Sequence, residues 1–194
     1  MFGVRFLPND PNILLSAGWD RTVQMWDRRE GKSVRSAFGP RICGDGLDVD
    51  ESGDRFLTGS YDPQSYLQAR LSLLYSYVQV WSVKEMAVVH SLGKTAVTSM
   101  DEPMASKNTL LYSAAFSRSR KSPLILCCGA GQTPGCYLYR APTADSPGLT
   151  LGTVTGLPSA SDGLYTAAMQ SKGAFTAFGG ASKKLYIVKA DRDL

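Results

Sequence analysis

The sequence predicts an all-β protein built from tandem antiparallel sheets of four strands each. Two observations carry that expectation. The first is a hairpin. The apolar run Ile13-Leu14-Leu15 leads without a polar break into Ser16-Ala17-Gly18-Trp19-Asp20-Arg21, and Thr22-Val23-Gln24-Met25-Trp26-Asp27 then restarts an extended apolar pattern. An unbroken apolar run of this length reads as a strand buried on both faces. Gly18 permits positive φ and Asp20 can hydrogen-bond local backbone, so a tight turn is expected between the two strands. The second observation is recurrence. Val78-Gln79-Val80-Trp81-Ser82 matches Val23-Gln24-Met25-Trp26-Asp27 position by position, and Thr58 and Asp62 stand four apart, as do Ser16 and Asp20.

Taken in order, the first unit opens with a short strand at Gly3–Phe6, turns at Pro8–Asn12, and continues through the strands Ile13–Ser16 and Thr22–Trp26. Ser33–Phe38 alternates as a half-exposed outer strand does, and Gly39-Pro40 ends the unit. The second unit repeats the plan: Gly46–Val49, a turn at Glu51–Asp54, Arg55–Asp62, Val78–Ser82 and an outer strand at Ala87–Leu92. The third is degenerate. Leu110–Phe116 and Pro123–Cys128 read as strands about a polar turn at Arg118–Ser122, and Cys136–Arg140 follows a glycine-rich turn, with Tyr139-Arg140 in the Trp-Asp slot. Before it, Lys94–Asn108 carries a Ser99-x-x-Glu102 cap pattern that Pro103 cuts short, so a loop between units is expected. The fourth unit has Gly163–Met169, Gly173–Phe178 and Lys184–Lys189, and its last strand is missing.

The spacing holds one discrepancy. Asp20 precedes Trp26 by 6 positions and Asp62 precedes Trp81 by 19, so the second hairpin carries 13 additional residues. Without them the Trp26–Trp81 separation falls from 55 to 42, inside a repeat period of roughly 40–45 residues. The segment of about 63–75 is therefore expected to bulge out as an insertion. It is more apolar than a solvated loop, and two readings stand: a partner-binding loop, or sequence that a gene model failed to remove.

Ser16, the Gly18 turn, Asp20, the alternating strand and Trp26-Asp27, with their partial repeat at Thr58, Asp62 and Trp81, resemble the WD40 repeat family. The resemblance spans nearly the whole chain, closely in the first two units and loosely in the last two. It implies blades of a β-propeller, about four of them at 1–39, 40–93, 94–156 and 157–194, the last incomplete and the ring open or partial. It also implies that Ser16, Asp20, Trp26, Asp27, Thr58, Asp62 and Trp81 serve structure. In that family the turn Asp, a strand hydroxyl and the indole share a hydrogen-bonded network with a histidine, which has no counterpart here. Because a ring must close to remove exposed edges, the chain is expected to be the C-terminal part of a larger propeller, or a truncated gene model starting at an internal Met.

Composition narrows the function classes. Of 194 residues, 43% are hydrophobic and 20% charged, which is ordinary for a globular protein. The net charge of +4, from 21 basic and 17 acidic residues, is too mild to argue for nucleic acid. Arg28-Arg29 and Arg118–Lys121 read as solvated loops. The longest apolar-looking region, Tyr66–Trp81, is interrupted by Gln68 and Arg70 and is too polar to span a bilayer. Cys43, Cys127, Cys128 and Cys136 form no disulfide framework and the chain opens without a secretory leader, so an intracellular compartment is expected, cytoplasmic or nuclear.

No catalytic constellation is legible. His90 is the only histidine and sits in an expected outer strand. A zinc site would have to draw on it and on Cys127, Cys128 and Cys136, but adjacent strand residues point to opposite faces and no Cys-x-x-Cys pair exists. Gly129-x-Gly131-x-x-x-Gly135 mimics a dinucleotide fingerprint, yet a strand rather than a helix follows it. No metal or cofactor is expected. By resemblance, the residues before the turn Asp contact partners, which singles out Trp19 and Tyr61, the alternative being that they pack on the neighbouring blade; Arg41 and Asp45 in the inter-blade loop are further candidates. The expected function is a non-catalytic protein–protein interaction scaffold or adaptor. The alternatives are an enzyme whose catalytic residues lie on blades outside this chain, and a propeller that contacts nucleic acid.

Overall fold

A computed structural model describes residues 1–39, 41–61, 78–92, 109–118, 123–131, 135–143, 146, 148–154, 163–170 and 175–189. Asp62, the 63–75 insertion and the Ser99–Glu102 cap pattern lie outside the described residues. The chain is all-β. Strands β1 (Gly3–Leu7), β2 (Asp10–Ala17), β3 (Thr22–Asp27) and β4 (Lys32–Phe38) form the first antiparallel sheet, in that order. The second holds β5 (Leu47–Val49), β6 (Arg55–Gly59), β7 (Val78–Ser82) and β8 (Ala87–Leu92). The third holds β9 (Thr109–Phe116), β10 (Leu124–Gly131), β11 (Cys136–Arg140) and β12 (Leu149–Val154). The fourth has three strands, β13 (Leu164–Met169), β14 (Phe175–Gly180) and β15 (Leu185–Lys189). The four sheets stand blade-like, each beside the next, and do not close into a ring. Among the described residues no helix is long and apolar enough to cross a membrane.

Strand alternation explains the stacking. In β6, Phe56 points toward the first sheet and Leu57 toward the third; in β7, Trp81 and Val80 divide in the same way. Three cores result. Leu15, Val23 and Met25 meet Phe56 and Trp81 between the first two sheets. Leu57 and Val80 meet Ile125 and Tyr139 between the second and third. Leu126, Cys128 and Cys136 meet Leu164 and Phe178 between the third and fourth. The neighbours Cys127 and Cys128 thus enter different cores, and burial pushes the Cys128 thiol up to about 12.

A bulge recurs at one place in three sheets. The register against the outer strand slips between Met25 and Trp26, between Val80 and Trp81, and between Leu138 and Tyr139. Each slip precedes the aromatic residue of the third strand and adds local twist there. The indole Nε1 of Trp26 donates to Ser16 Oγ at 2.9 Å, and that of Trp81 to Thr58 Oγ1 at 2.9 Å. Asp20 holds its own turn, as the hairpin predicts, and does not join the shared network that the resemblance implies: its carboxylate accepts from Thr22 N at 3.3 Å and from Thr22 Oγ1 at 3.0 Å. Asp27 likewise acts locally. Its Oδ1 accepts from Arg29 N at 2.8 Å and its Oδ2 from Arg29 Nη2 at 2.6 Å, which fixes the β3–β4 turn.

Polar ties join the sheets at their first strands. Asp48 on β5 is 2% exposed. Its Oδ2 accepts from Phe116 N at 2.9 Å, and its Oδ1 accepts from Arg118 Nη2 at 3.0 Å and from Arg5 Nε at 3.4 Å. One carboxylate therefore links three sheets. Farther out, Arg35 of β4 donates to the carbonyls of Lys84 and Glu85 in the β7–β8 turn.

Replacing Asp48 with Ala leaves two guanidinium groups without their shared acceptor and a buried amide unpaired. Urea unfolding of Asp48→Ala is expected to show a loss of about 1–3 kcal/mol, the range for a buried donor left unsatisfied, since the two guanidinium groups keep access to water. The Arg29 guanidinium bonded to Asp27 holds that carboxyl down to about 2, against an ordinary value of 3.8. A depressed carboxyl stabilises the fold above its unfolded value and loses that contribution as pH falls through its folded value. The stability difference between the native protein and Asp27→Ala should accordingly shrink as pH drops from 3.8 toward about 2, measured by denaturant titration at each pH.

Candidate aromatic interaction surface

The first strands β1, β5, β9 and β13 lie in series, and backbone hydrogen bonds stitch the chain at one end of them. Ile42 N donates to Gly18 O at 3.0 Å, Tyr61 N to Arg41 O at 2.9 Å, and Leu111 N to Ser60 O at 3.0 Å. The turns of the first and second sheets are thereby tied to the segments that enter the second and third. Gly44 allows one close approach. It has φ of 61°, and a Cβ there would lie 2.7 Å from the carbonyl oxygen of Tyr112.

This stitching gathers five aromatic rings into a continuous row. Phe2, just before β1, lies 5.7 Å from Trp19 in the β2–β3 turn. Trp19 stacks on Tyr61, which follows β6, at 6.4 Å and 14°. Tyr61 meets Tyr112 of β9 edge-on at 4.9 Å, and Tyr112 meets Tyr165 of β13 edge-on at 4.8 Å. The Tyr61 and Tyr112 hydroxyls lie 3.1 Å apart, within hydrogen-bonding distance. Edge-on and offset contacts between rings contribute about 0.5–1.5 kcal/mol each beyond their buried area. The row is nonetheless open to solvent: Trp19 is 55% exposed, Phe2 50% and Tyr165 45%. Its surface is apolar and planar, with phenol groups that can donate or accept.

The structure brings Trp19 and Tyr61 together, the two aromatics singled out from the sequence. Arg41 and Asp45 lie in the same connection but behave differently. The Arg41 carbonyl is used by Tyr61, and Asp45 reaches Arg5 at 3.7 Å while its carbonyl accepts from Ala114 N. Tyr112, Tyr165 and Phe2 were not expected here. In the sequence Tyr112 and Tyr165 are ordinary strand aromatics, and nothing local signals that two first strands aim them at one rim.

His90 lies half-buried on β8, the outer strand of its sheet, opposite Val80. The glycine-rich run joins β10 to an antiparallel partner, β11, with Gly129 N donating to Gly135 O at 3.0 Å. Among the described residues no group of three or more His, Cys, Asp or Glu side chains is placed to hold a metal ion. No protein-family model matches this sequence, and no curated protein matches it.

The Tyr112 phenol is raised above the ordinary tyrosine value, first by its hydrogen bond with Tyr61 and then by burial. In an alkaline spectrophotometric titration Tyr112 is expected to stay protonated above the ordinary tyrosine range, for as long as the protein remains folded. Tyr61→Phe should bring that ionisation down toward the ordinary range, because the main cause of the shift is gone.

Proposed function

We infer that this chain is a non-catalytic protein-binding platform of the WD40-repeat kind, a scaffold or adaptor that needs no cofactor. The observation that carries the reading is the row of rings from Phe2 to Tyr165, continuous across four sheets and partly exposed at Trp19, Phe2 and Tyr165. Trp and Tyr dominate binding hot spots because they bury much area with little entropy to lose. Here the row is held rigidly by backbone ties on neighbouring turns, so little ordering remains to be done when a partner lands. The paired indole–hydroxyl bonds of Trp26 and Trp81, each followed by a bulge-twisted outer strand, support the WD40 assignment. Four free cysteines, three of them buried, agree with a reducing intracellular setting, cytoplasmic or nuclear.

The row should be the contact. Trp19→Ala removes an exposed ring without touching a core, so far-UV circular dichroism is expected to stay native. Affinity for a captured protein partner should fall at least ~30-fold, the equivalent of a hot-spot loss of about 2 kcal/mol. Tyr61→Ala should fall alongside it. Undiminished partner capture by both folded variants would move the interface elsewhere, and steep salt-dependent retention on RNA or DNA would replace the partner class.

A further inference from the structure

Among the described residues, the first and fourth sheets are each covered by a neighbouring sheet on one face only. In the first sheet, strand pairing puts Phe6, Leu14 and Trp26 on one face, with Val4, Ser16 and Gln24 beside them. Phe6 is 57% exposed and Val4 42%, while Leu14 and Trp26 are half-buried. In the fourth sheet, Phe175, Ala177, Leu185 and Ile187 share the open face, and Thr176 and Phe178 point back into the core. Leu185 is 69% exposed and Ile187 67%. Apolar strand residues at such exposure mark an unmet contact.

These faces are the two halves of a contact the chain already makes within itself. Trp26 stands opposite Leu14 as Trp81 stands opposite Phe56. In the second sheet that pair is buried, Trp81 at 3% and Phe56 at 0%, because the first sheet brings Leu15, Val23 and Met25 onto it. Met25 and Val23 alternate with the strand's other face, one and three positions before Trp26. In the fourth sheet Ile187 and Leu185 hold the same places before Val188, which packs toward the third sheet. Ala177 opposite Ile187 corresponds to Leu15 opposite Met25. The fourth sheet thus presents the kind of face that covers a Trp-bearing sheet, and the first presents a Trp-bearing face that no described sheet covers.

We propose that the Leu185–Ile187 face of the fourth sheet packs on the Phe6–Trp26 face of the first sheet of a second copy of this chain, twice, closing a ring of two copies. The contact joins different surfaces on the two copies. Such head-to-tail contacts give a closed ring when the rotation closes and an open filament when it does not. Two copies of the four sheets give eight, at the upper end of the range of about 4–8 blades that propellers hold. Closure also extends the aromatic row, because Tyr165 of one copy comes up beside Phe2 of the other. The inference stands independently of what that row binds.

Sedimentation velocity on the full chain tests it, with Phe6→Glu, Ile187→Lys and their equimolar mixture. Both substituted residues are exposed, and circular dichroism checks that each variant keeps its strands. The native chain is expected to sediment as two copies. Each variant alone should lose at least ~10-fold in dimer affinity, since both contacts in its ring then hold a buried, unpaired charge. The mixture should regain a dimer, because it keeps one contact in which both faces are native. A native chain that stays monomeric or forms indefinite chains overturns the proposal. So does a dimer that survives either substitution, which would mean like faces meet.

Discussion

A four-stranded sheet that is apolar on both sides cannot stand alone, and the need to cover both faces governs the rest of this protein. Phe56 and Leu57 are adjacent in sequence and both fully buried, one in each of two cores. Val80 and Trp81 repeat the division on the next strand. Neither residue of such a pair is satisfied unless a sheet lies on each side. The alternation fixes register as well, since a slip of one residue would exchange the two cores' contents.

Stacking sheets in series creates places that no single sheet has. At the first strands, one carboxylate can be reached from both neighbours, and Asp48 occupies that place. A desolvated carboxylate is costly unless its lone pairs are filled. Phe116 N, Arg118 and Arg5 fill them from the third and first sheets, so the charge also registers one sheet against the next. At the rim, the turns arrive side by side because every sheet runs its strands in the same order. Trp19 and Tyr61 stack for that reason, and Tyr112 and Tyr165 complete the row from the first strands of the next two sheets.

What the sequence discloses follows the range of the interactions. The hairpin at Ser16–Trp26 was legible because its turn, alternation and indole bond lie within ten positions. Trp19 and Tyr61 were legible as a pair because the same local pattern precedes each. Asp48 was not, since its partners lie 43 to 70 positions away and no local pattern joins them. Asp20 was legible as the residue that fixes the turn, because the Thr22 amide and hydroxyl it holds lie two residues on. The turn expected at Pro8–Asn12 is shorter than drawn, because β2 already begins at Asp10 and Asn12 N is held by the Asp10 carboxylate.

The third sheet separates what the indole motif does from what the fold needs. Register puts Tyr139 opposite Ile125 and Cys127 two positions on, matching Trp81, Phe56 and Thr58. Cys127 replaces the strand hydroxyl and directs its thiol to Tyr137 O at 3.7 Å, while Tyr139 is as deeply buried as Trp81, at 3%. The outer-strand bulge beside it persists. A hydrogen bond such as the indole–hydroxyl pair contributes about 0.5–1.5 kcal/mol net, whereas burying a large apolar side chain contributes about 1.5–3 kcal/mol. Substitution in this slot can therefore discard the bond and keep the sheet, provided the volume remains. The fourth sheet goes further, with Val188 packed toward the third sheet from the corresponding place. The written motif fades along the chain faster than the architecture does, because the core responds to size and face, and the letters Trp and Asp are one way of supplying them.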